Sequence, residues 1–143
     1  MIDAAHTAAI LARITQIPIF DTLRMEAVSF DSGQCEVRVP RQTIYDGVFQ
    51  SFHGGLLMTI ADSAACFAIL TMTPVDQIVT TTDMNIRFLA PCLSDVTAKA
   101  RVIKLGRLMC PVTVDLFDAA GTLVAIAQVN YMRLERMPSR KDA

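Results

Sequence analysis

The sequence predicts an α+β fold in which a curved antiparallel sheet wraps around one long, apolar helix. Residues 54–72 are rich in Ala, Leu and Met, and no other stretch of the chain is as apolar. Four segments with strand signals follow this stretch and one shorter pair precedes it, which predicts about six strands. A helix that is apolar nearly all round must be covered on most sides, so we expect the sheet to curl around it.

The chain begins with a predicted short amphipathic helix over residues 4–16, which Pro18 ends. Ile10 and Ile14 lie near one stripe of this helix. We expect the helix to act as a cap and not as part of the core. His6 has no evident partner in the sequence, and we expect it to be exposed.

The strands are predicted from alternating apolar and polar residues and from the turn residues between them. The segment at 23–40 predicts an antiparallel hairpin with its turn at 31–33. After the long helix, Val96, Ala98 and Ala100 are expected to face one side of the sheet. The later strand signals cover residues 78–89, 94–105, 108–118 and 122–134.

Length and composition exclude several classes of function. We expect residues 1–143 to form a single domain, with a helical cap at 1–19 and a mobile polar tail at 135–143. A formal net charge of −1 predicts neither nucleic acid nor a membrane as partner. The four cysteines and two histidines show no metal-binding spacing, so we expect no metal, no cofactor and free thiols in the cytoplasm. Asp62 at the centre of residues 56–72 favours a buried core helix over a membrane span.

The stretch FHGGLLMTIAD at 52–62 holds the residues best suited to chemistry. Gly54 and Gly55 begin the long helix, where unpaired N–H groups and the positive end of the helix dipole attract anions. An ionised Asp62 in an apolar helix is costly unless it is paired or hydrogen-bonded. An ion pair with Arg87 or hydrogen bonds to strand amides would give Asp62 a purely structural role.

The spacing of Gly54 and Asp62 constrains how they can act. They are eight residues apart, hence about 12 Å along a helix, too far for both to touch one reacting carbon. If both act on one substrate, the acid must come from a second copy whose helix runs alongside in the opposite sense. Cys66 lies one turn after Asp62, so a hydrolase with a Cys/His/Asp set is conceivable. His53 is more than about 15 Å away from Cys66 along the helix, which is too far for this set, and we interpret Cys66 as a small core residue.

The segments HGGLLMTIADSA and TTTDMNIRFLAP resemble the PaaI-type acyl-CoA thioesterases of the hotdog fold. The resemblance runs over about residues 20–134. It implies a long helix wrapped by a six-stranded antiparallel sheet, with homodimers that pair again into homotetramers. It also implies an acyl-CoA substrate.

The resemblance further implies a role for each matching residue. The backbone N–H of Gly54 would donate to the thioester oxygen, and Asp62 of the partner subunit would act as general base or nucleophile. His53 would orient the loop or the thioester. Thr81, or its neighbour Thr82, would help to place the water.

Two positions depart from the pattern of the relatives, which often have Asn six residues before the His and Gly three residues before it. Here Gly47 and Gln50 stand at these positions, and Gln50 or Ser51 would take the place of the Asn. The substrate would meet apolar side chains at the helix start, and basic residues would meet the phosphates of CoA. The expected substrate contacts are Gln50, Phe52, Gly55, Met58, Thr82, Met84, Arg101, Lys104 and Arg107.

The sequence therefore predicts an acyl-CoA thioesterase that hydrolyses an acyl or aryl-acyl thioester to free acid and CoA at a dimer interface. Two alternatives remain at this point. A hotdog hydratase or dehydratase would pair the helix-borne acid with His53. A non-catalytic CoA-ligand sensor would keep the pocket and dispense with the acid, so the presence of Asp62 favours an enzyme.

Overall fold

A computed structural model describes residues 2–135 of the chain. The predicted tail at 135–143 therefore lies outside the described residues, apart from Glu135. The helices are α1 (Ala4–Ile14), α2 (Pro18–Thr22) and α3 (Gly54–Leu70), with a short 3-10 turn at Thr43–Tyr45. The strands are β1 (Glu26–Asp31), β2 (Gln34–Val39), β3 (Ile78–Phe88), β4 (Val96–Val102), β5 (Met109–Asp118) and β6 (Leu123–Leu134).

The six strands form one antiparallel sheet in the order β1-β2-β4-β5-β6-β3. Five of them, β2 to β6, contact α3, which requires the sheet to curl around the helix. The predicted hotdog architecture is confirmed. β3 forms one edge of the sheet, because β6 is the neighbour it pairs with. Within residues 2–135, no helix has both the length and the apolar character needed to cross a membrane.

The core lies between α3 and the inward face of the sheet. Ala61 and Ala64 of α3 are fully buried, and their small side chains let the strands approach the helix closely. Val96 and Ala98 face them from the sheet, as the alternation in the sequence predicts. A stripe of α3 stays half-buried or exposed, and it comprises Gly55, Thr59, Asp62 and Cys66.

The N-terminal segment differs from its prediction. α1 ends at Ile14, and Pro18 begins α2, as its fixed φ favours at the first position of a helix. Ile10 and Ile14 are 0 % and 1 % exposed, so α1 contributes to the core as well as covering it. The expectation of an unpartnered His6 is wrong: its Nε2 lies 2.8 Å from the Leu70 carbonyl oxygen, one of the groups that the end of α3 leaves unsatisfied.

The turn between β1 and β2 is hydrogen-bonded to the end of α3. Gly33 has a φ of +71°, a left-handed conformation that favours glycine. Its N–H donates to Thr71 Oγ1 at 2.7 Å, and this hydroxyl donates to the Ala68 carbonyl oxygen at 2.6 Å. The hydroxyl of Thr71 therefore connects the hairpin to the helix.

Candidate active site

The start of α3 presents a backbone N–H that has no partner in the described part of the chain. His53 caps the helix, and its Nδ1 accepts a hydrogen bond from the Gly55 N–H at 2.9 Å. The Leu56 and Leu57 N–H groups donate to the His53 carbonyl oxygen. No group among residues 2–135 accepts from the Gly54 N–H. This amide lies at the positive end of the helix dipole, where it can donate to an oxygen of a ligand.

A cavity of about 380 Å³ opens beside the Gly54 amide. The ring of Phe88 lies against Gly54, where a Cβ would come within 3.2 Å of Phe88 Cζ. Glycine at this position lets the ring approach the helix start, and the cavity walls present polar and apolar surface in nearly equal amounts. They include Ser51, Phe52, Leu57, Phe88, Leu89 and Cys92.

His53 lies on the other side of the helix start. Together with Gly55 it lines a separate open pocket of about 390 Å³. Because Nδ1 accepts from an amide, the neutral imidazole carries its proton on Nε2. His53 and Gly54 are neighbours in the chain, but they line different pockets.

Asp62 is held by two hydroxyl groups from the sheet. Thr81 Oγ1 donates to Asp62 Oδ1 at 2.8 Å, and the Tyr131 hydroxyl donates to the same oxygen at 2.6 Å. The Tyr131 hydroxyl also lies 2.7 Å from the main-chain oxygen of Asp62. Neither the ion pair with Arg87 nor the strand amides considered from the sequence hold the carboxylate, since Arg87 is exposed and the partners are side-chain hydroxyls.

Tyr131 was not predicted from the sequence as a site residue. It lies directly opposite Thr81 in the pairing of β6 with β3, and its side chain is 4 % exposed. Burial raises the pKa of the Tyr131 phenol, and the neighbouring Cys66 and the hydrogen bond to Asp62 raise it further. The phenol therefore stays protonated and acts as a donor to Asp62.

The bulge in β3 decides between the two threonines. The pairing of β3 with β6 shifts register between Thr81 and Asp83. Thr82 is exposed and bonds to Asp83 Oδ1 and to the Asn130 carbonyl oxygen, whereas Thr81 turns toward Asp62. Thr81, and not Thr82, is therefore the threonine that contacts Asp62 of the same chain.

The loop that leads into α3 is held by Arg41. Its Nε and Nη2 donate to the Asp46 carboxylate at 3.0 and 2.6 Å, and Nη2 also donates to the Gln50 carbonyl oxygen at 2.9 Å. The Arg41 guanidinium lowers the pKa of Asp46. Gln50 has a φ of +58° and an exposed side chain. The residue that borders His53 is Gly47, where a Cβ would lie 3.8 Å from His53 Cδ2.

The remaining predicted substrate contacts are scattered. Phe52 lines the cavity beside Gly54, and Met58 and Met84 are half-buried. Arg107 lines an open cleft of about 540 Å³ near the start of β3. Arg101 is exposed on β4 and Lys104 is exposed in the loop that follows, and neither lines that cleft. The three basic residues therefore do not share one cavity.

The structure also bears on the interpretation of Cys66 as a core residue and on the question of a metal site. Burial raises the pKa of the Cys66 thiol to about 11, so the thiol is neutral near pH 7. This supports the interpretation of Cys66 as a packing residue. Among residues 2–135, no group of three or more His, Cys, Asp or Glu side chains is arranged to hold a metal ion.

The fold agrees with comparisons to known proteins. Residues 49–125, more than half of the chain, match the family model of the Thioesterase superfamily, and the chain belongs to this family. Gly54, Asp62 and Thr81 lie inside the matched segment, whereas Tyr131 lies beyond it.

Individual relatives are distant but cover most of the chain. A protein of Saccharolobus solfataricus, named as a candidate esterase, is 28 % identical over 111 residues, covering 76 % of this chain and 78 % of its own. A similarly named protein of Halobacterium salinarum is 25 % identical over 141 residues, covering 90 % and 93 %. The solved structure of the E. coli PaaI protein from the phenylacetic acid degradation operon has a TM-score of 0.86 at 20 % identity, covering 94 % of this chain and 97 % of its own. This structural similarity supports the fold.

Proposed function

We propose that the protein is a PaaI-type acyl-CoA thioesterase that hydrolyses an acyl or aryl-acyl CoA thioester to free acid and CoA. The observation that carries this proposal is the presence of two half-sites on α3. One is the Gly54 amide, which has no partner among residues 2–135 and belongs to a residue that lines a cavity, and the other is the hydroxyl-held Asp62 carboxylate. Thioester hydrolysis requires an oxyanion donor and an activated water, which these two groups would supply. Membership of the Thioesterase superfamily supports a hydrolase.

In the proposed reaction, the thioester carbonyl oxygen accepts a hydrogen bond from the Gly54 N–H. Asp62 takes a proton from water as the water oxygen bonds to the carbonyl carbon. The developing negative charge on the carbonyl oxygen is stabilised by the amide and by the helix dipole. When the carbonyl re-forms, the C–S bond breaks and the CoA thiolate leaves with the proton that Asp62 had taken.

The active site is proposed to lie between two subunits. Gly54 and Asp62 of one chain are too far apart to act on one carbon. The half-buried stripe of α3 that carries Asp62 and the edge strand β3 would be covered by a second copy. A two-fold axis there would bring the acid of one chain to the helix start of the other. Further pairing into a tetramer is part of the same proposal.

The cavity suggests the class of acyl group. Its volume of about 380 Å³ and its two phenylalanines, Phe52 and Phe88, suit an aryl or medium-length acyl chain. The rival hydratase reaction needs a His beside the acid and the substrate, but His53 lines a different pocket from the Gly54 cavity and its Nδ1 is occupied by the Gly55 amide. The four free thiols are in keeping with a cytoplasmic enzyme.

A thiol-release assay across a panel of aryl, short, medium and long acyl-CoA thioesters tests the proposed function. We expect turnover of at least one class, with Asp62→Asn lowering kcat by about a hundredfold or more. Asp115→Asn, an exposed change on β5, is the matched control and should retain wild-type turnover. The proposal would be overturned if no thioester released thiol, or if Asp62→Asn turned over as fast as the control.

A further inference from the structure

The carboxylate of Asp62 is fixed at one of its two oxygens. Two hydroxyl donors, from Thr81 and Tyr131, lie within 2.8 Å of Oδ1. An aspartate on a solvated helix would rotate about its two side-chain torsions. Here one hydroxyl from β3 and one from β6 both donate to the same oxygen, and these two hydrogen bonds remove that freedom. The orientation of the carboxylate is therefore set by the sheet and not by the helix that carries it.

Tyr131 also fixes the distance between the sheet and the helix at this point. Its hydroxyl contacts both Oδ1 and the main-chain oxygen of Asp62, at 2.6 and 2.7 Å. The ring is anchored in the core, since the residue is 4 % exposed. Contact with the side chain and the backbone of the same residue locates Asp62 relative to β6 more firmly than a single side-chain contact would.

The second carboxylate oxygen is in a different environment. Oδ2 has no hydrogen-bond partner among residues 2–135. Every buried side-chain nitrogen or oxygen in that part of the chain has a partner, so Oδ2 must reach the surface. Its lone pairs are available to a water or a substrate, whereas those of Oδ1 are directed at the two hydroxyls.

We infer that Tyr131 is a positioning residue which, together with Thr81, holds Oδ1 of Asp62 so that Oδ2 is the oxygen that takes the proton from water. This inference rests on the proposed thioesterase function and adds to it the reactive atom and the residue that orients it. In the step itself a water O–H bond breaks, the proton goes to Oδ2, and the water oxygen bonds to the thioester carbon. The same proton leaves Oδ2 with the CoA thiolate after the C–S bond breaks.

Tyr131 acts through Asp62 and not on the substrate. Its hydroxyl is directed at Oδ1 and at a main-chain oxygen, and the residue is buried. Loss of the hydroxyl should therefore misplace the base in the transition state while leaving substrate binding almost unchanged. A residue that merely packed in the core would affect the free energy of unfolding without this split between kcat and KM.

Steady-state kinetics of four variants test the inference. We expect Tyr131→Phe and Thr81→Val each to lower kcat about 10- to 100-fold with KM within about twofold of wild type. Thr81→Ser keeps a hydroxyl and should restore most of the turnover lost in Thr81→Val. Thr122→Val, an exposed change in the turn between β5 and β6 and away from β3, is the control and should behave as wild type. Thermal unfolding of each variant confirms that it is folded.

A folded Tyr131→Phe variant with kcat within twofold of wild type, or a change confined to KM, would overturn the inference. If Tyr131→Phe does not fold, the comparison of Thr81→Val with Thr81→Ser decides it in the same way. If the wild-type protein hydrolyses no thioester, the proposed function fails, and crystal structures of wild type and the Thr81→Val/Tyr131→Phe double variant then test the hold on Oδ1. A displaced Asp62 carboxylate in the double variant supports the hold, and an unmoved one refutes it.

Discussion

Gly54 and Asp62 occupy one continuous helix, with the free amide at its first residue and the carboxylate eight residues later, about 12 Å further along. The carboxylate cannot swing back toward the amide, because Thr81 and Tyr131 hold it from the sheet. If both groups act in catalysis, each chain contributes to two separate sites. This relationship leads to two predictions on how activity depends on each half-site.

The first prediction concerns the amide of Gly54. Gly54→Pro removes the N–H, and proline is favoured at the first position of a helix. The preceding His53, with φ −59° and ψ 127°, already has a conformation that proline permits before it. We expect kcat for thioester hydrolysis to fall about 100- to 1000-fold while the fold is retained, as for loss of an oxyanion donor.

Gly54→Ala is the matched variant, since it keeps the N–H and adds a Cβ. That Cβ would lie 3.2 Å from the ring of Phe88, which is 52 % exposed and has room to move. We expect Gly54→Ala to retain much more turnover than Gly54→Pro. Equal turnover in the two variants would show that the Gly54 amide does not stabilise the oxyanion.

The second prediction concerns complementation between subunits. In a mixed dimer of Gly54→Pro and Asp62→Asn chains, one site has both defects and the other has none. Random exchange should therefore restore about one quarter of wild-type turnover, as expected for a shared two-fold site. Mass spectrometry of differently tagged chains measures the exchange. Complete exchange without recovery of turnover would contradict a site shared between subunits.

The third prediction concerns the pH dependence of Cys66. Burial raises the pKa of its thiol to about 11, so the reactive thiolate is scarce at pH 7 and increases only as the pH approaches that value. Alkylation of Cys66 by iodoacetamide, followed by peptide mass spectrometry, should be slow at pH 7 and should accelerate up to about pH 11. Cys66→Ala should keep thioester turnover, and its loss would indicate a nucleophilic cysteine.

The fourth prediction concerns the hydroxyl of Thr71. Thr71→Val deprives the Gly33 N–H of its acceptor in a buried position. An unsatisfied buried amide costs about 1–3 kcal/mol, and we expect that loss in the free energy of unfolding measured in urea at one protein concentration. Thr71→Ser keeps the hydroxyl and should lose much less. Equal stabilities of the two variants would show that this hydrogen bond contributes little.

Much of the architecture could be predicted because periodicity is a local property. The alternation at Val96, Ala98 and Ala100 and the uniformly apolar α3 each follow from neighbouring residues, and the observed strands lie within a few residues of the predicted ones. The second short helix could not be predicted as easily. Proline is typical both of the residues that follow a helix and of the first position of a helix, and only the first role of Pro18 was predicted.

The candidate site was predictable only in part. Asp62 and Gly54 stand out because a carboxylate in an apolar helix and a glycine at a helix start each need an explanation. Tyr131 was missed because, in an alternating strand, it has the pattern of an ordinary core residue. A signal did exist, since the cost of burying Asp62 calls for donors and Tyr131 lies on the inward side of β6. The choice between Thr81 and Thr82 depends on a β-bulge, which the local sequence pattern does not reveal.

The bond between Asp62 and Tyr131 also ties the chemistry of the protein to the order in which it folds. The two residues are separated by 69 positions along the chain. A contact of such long range forms only after the entropy of closing a large loop has been overcome. A partly folded chain with α3 in place and β6 still undocked would contain the acid but not its orientation. Thioester hydrolysis would then begin only after β6 has paired in its native register.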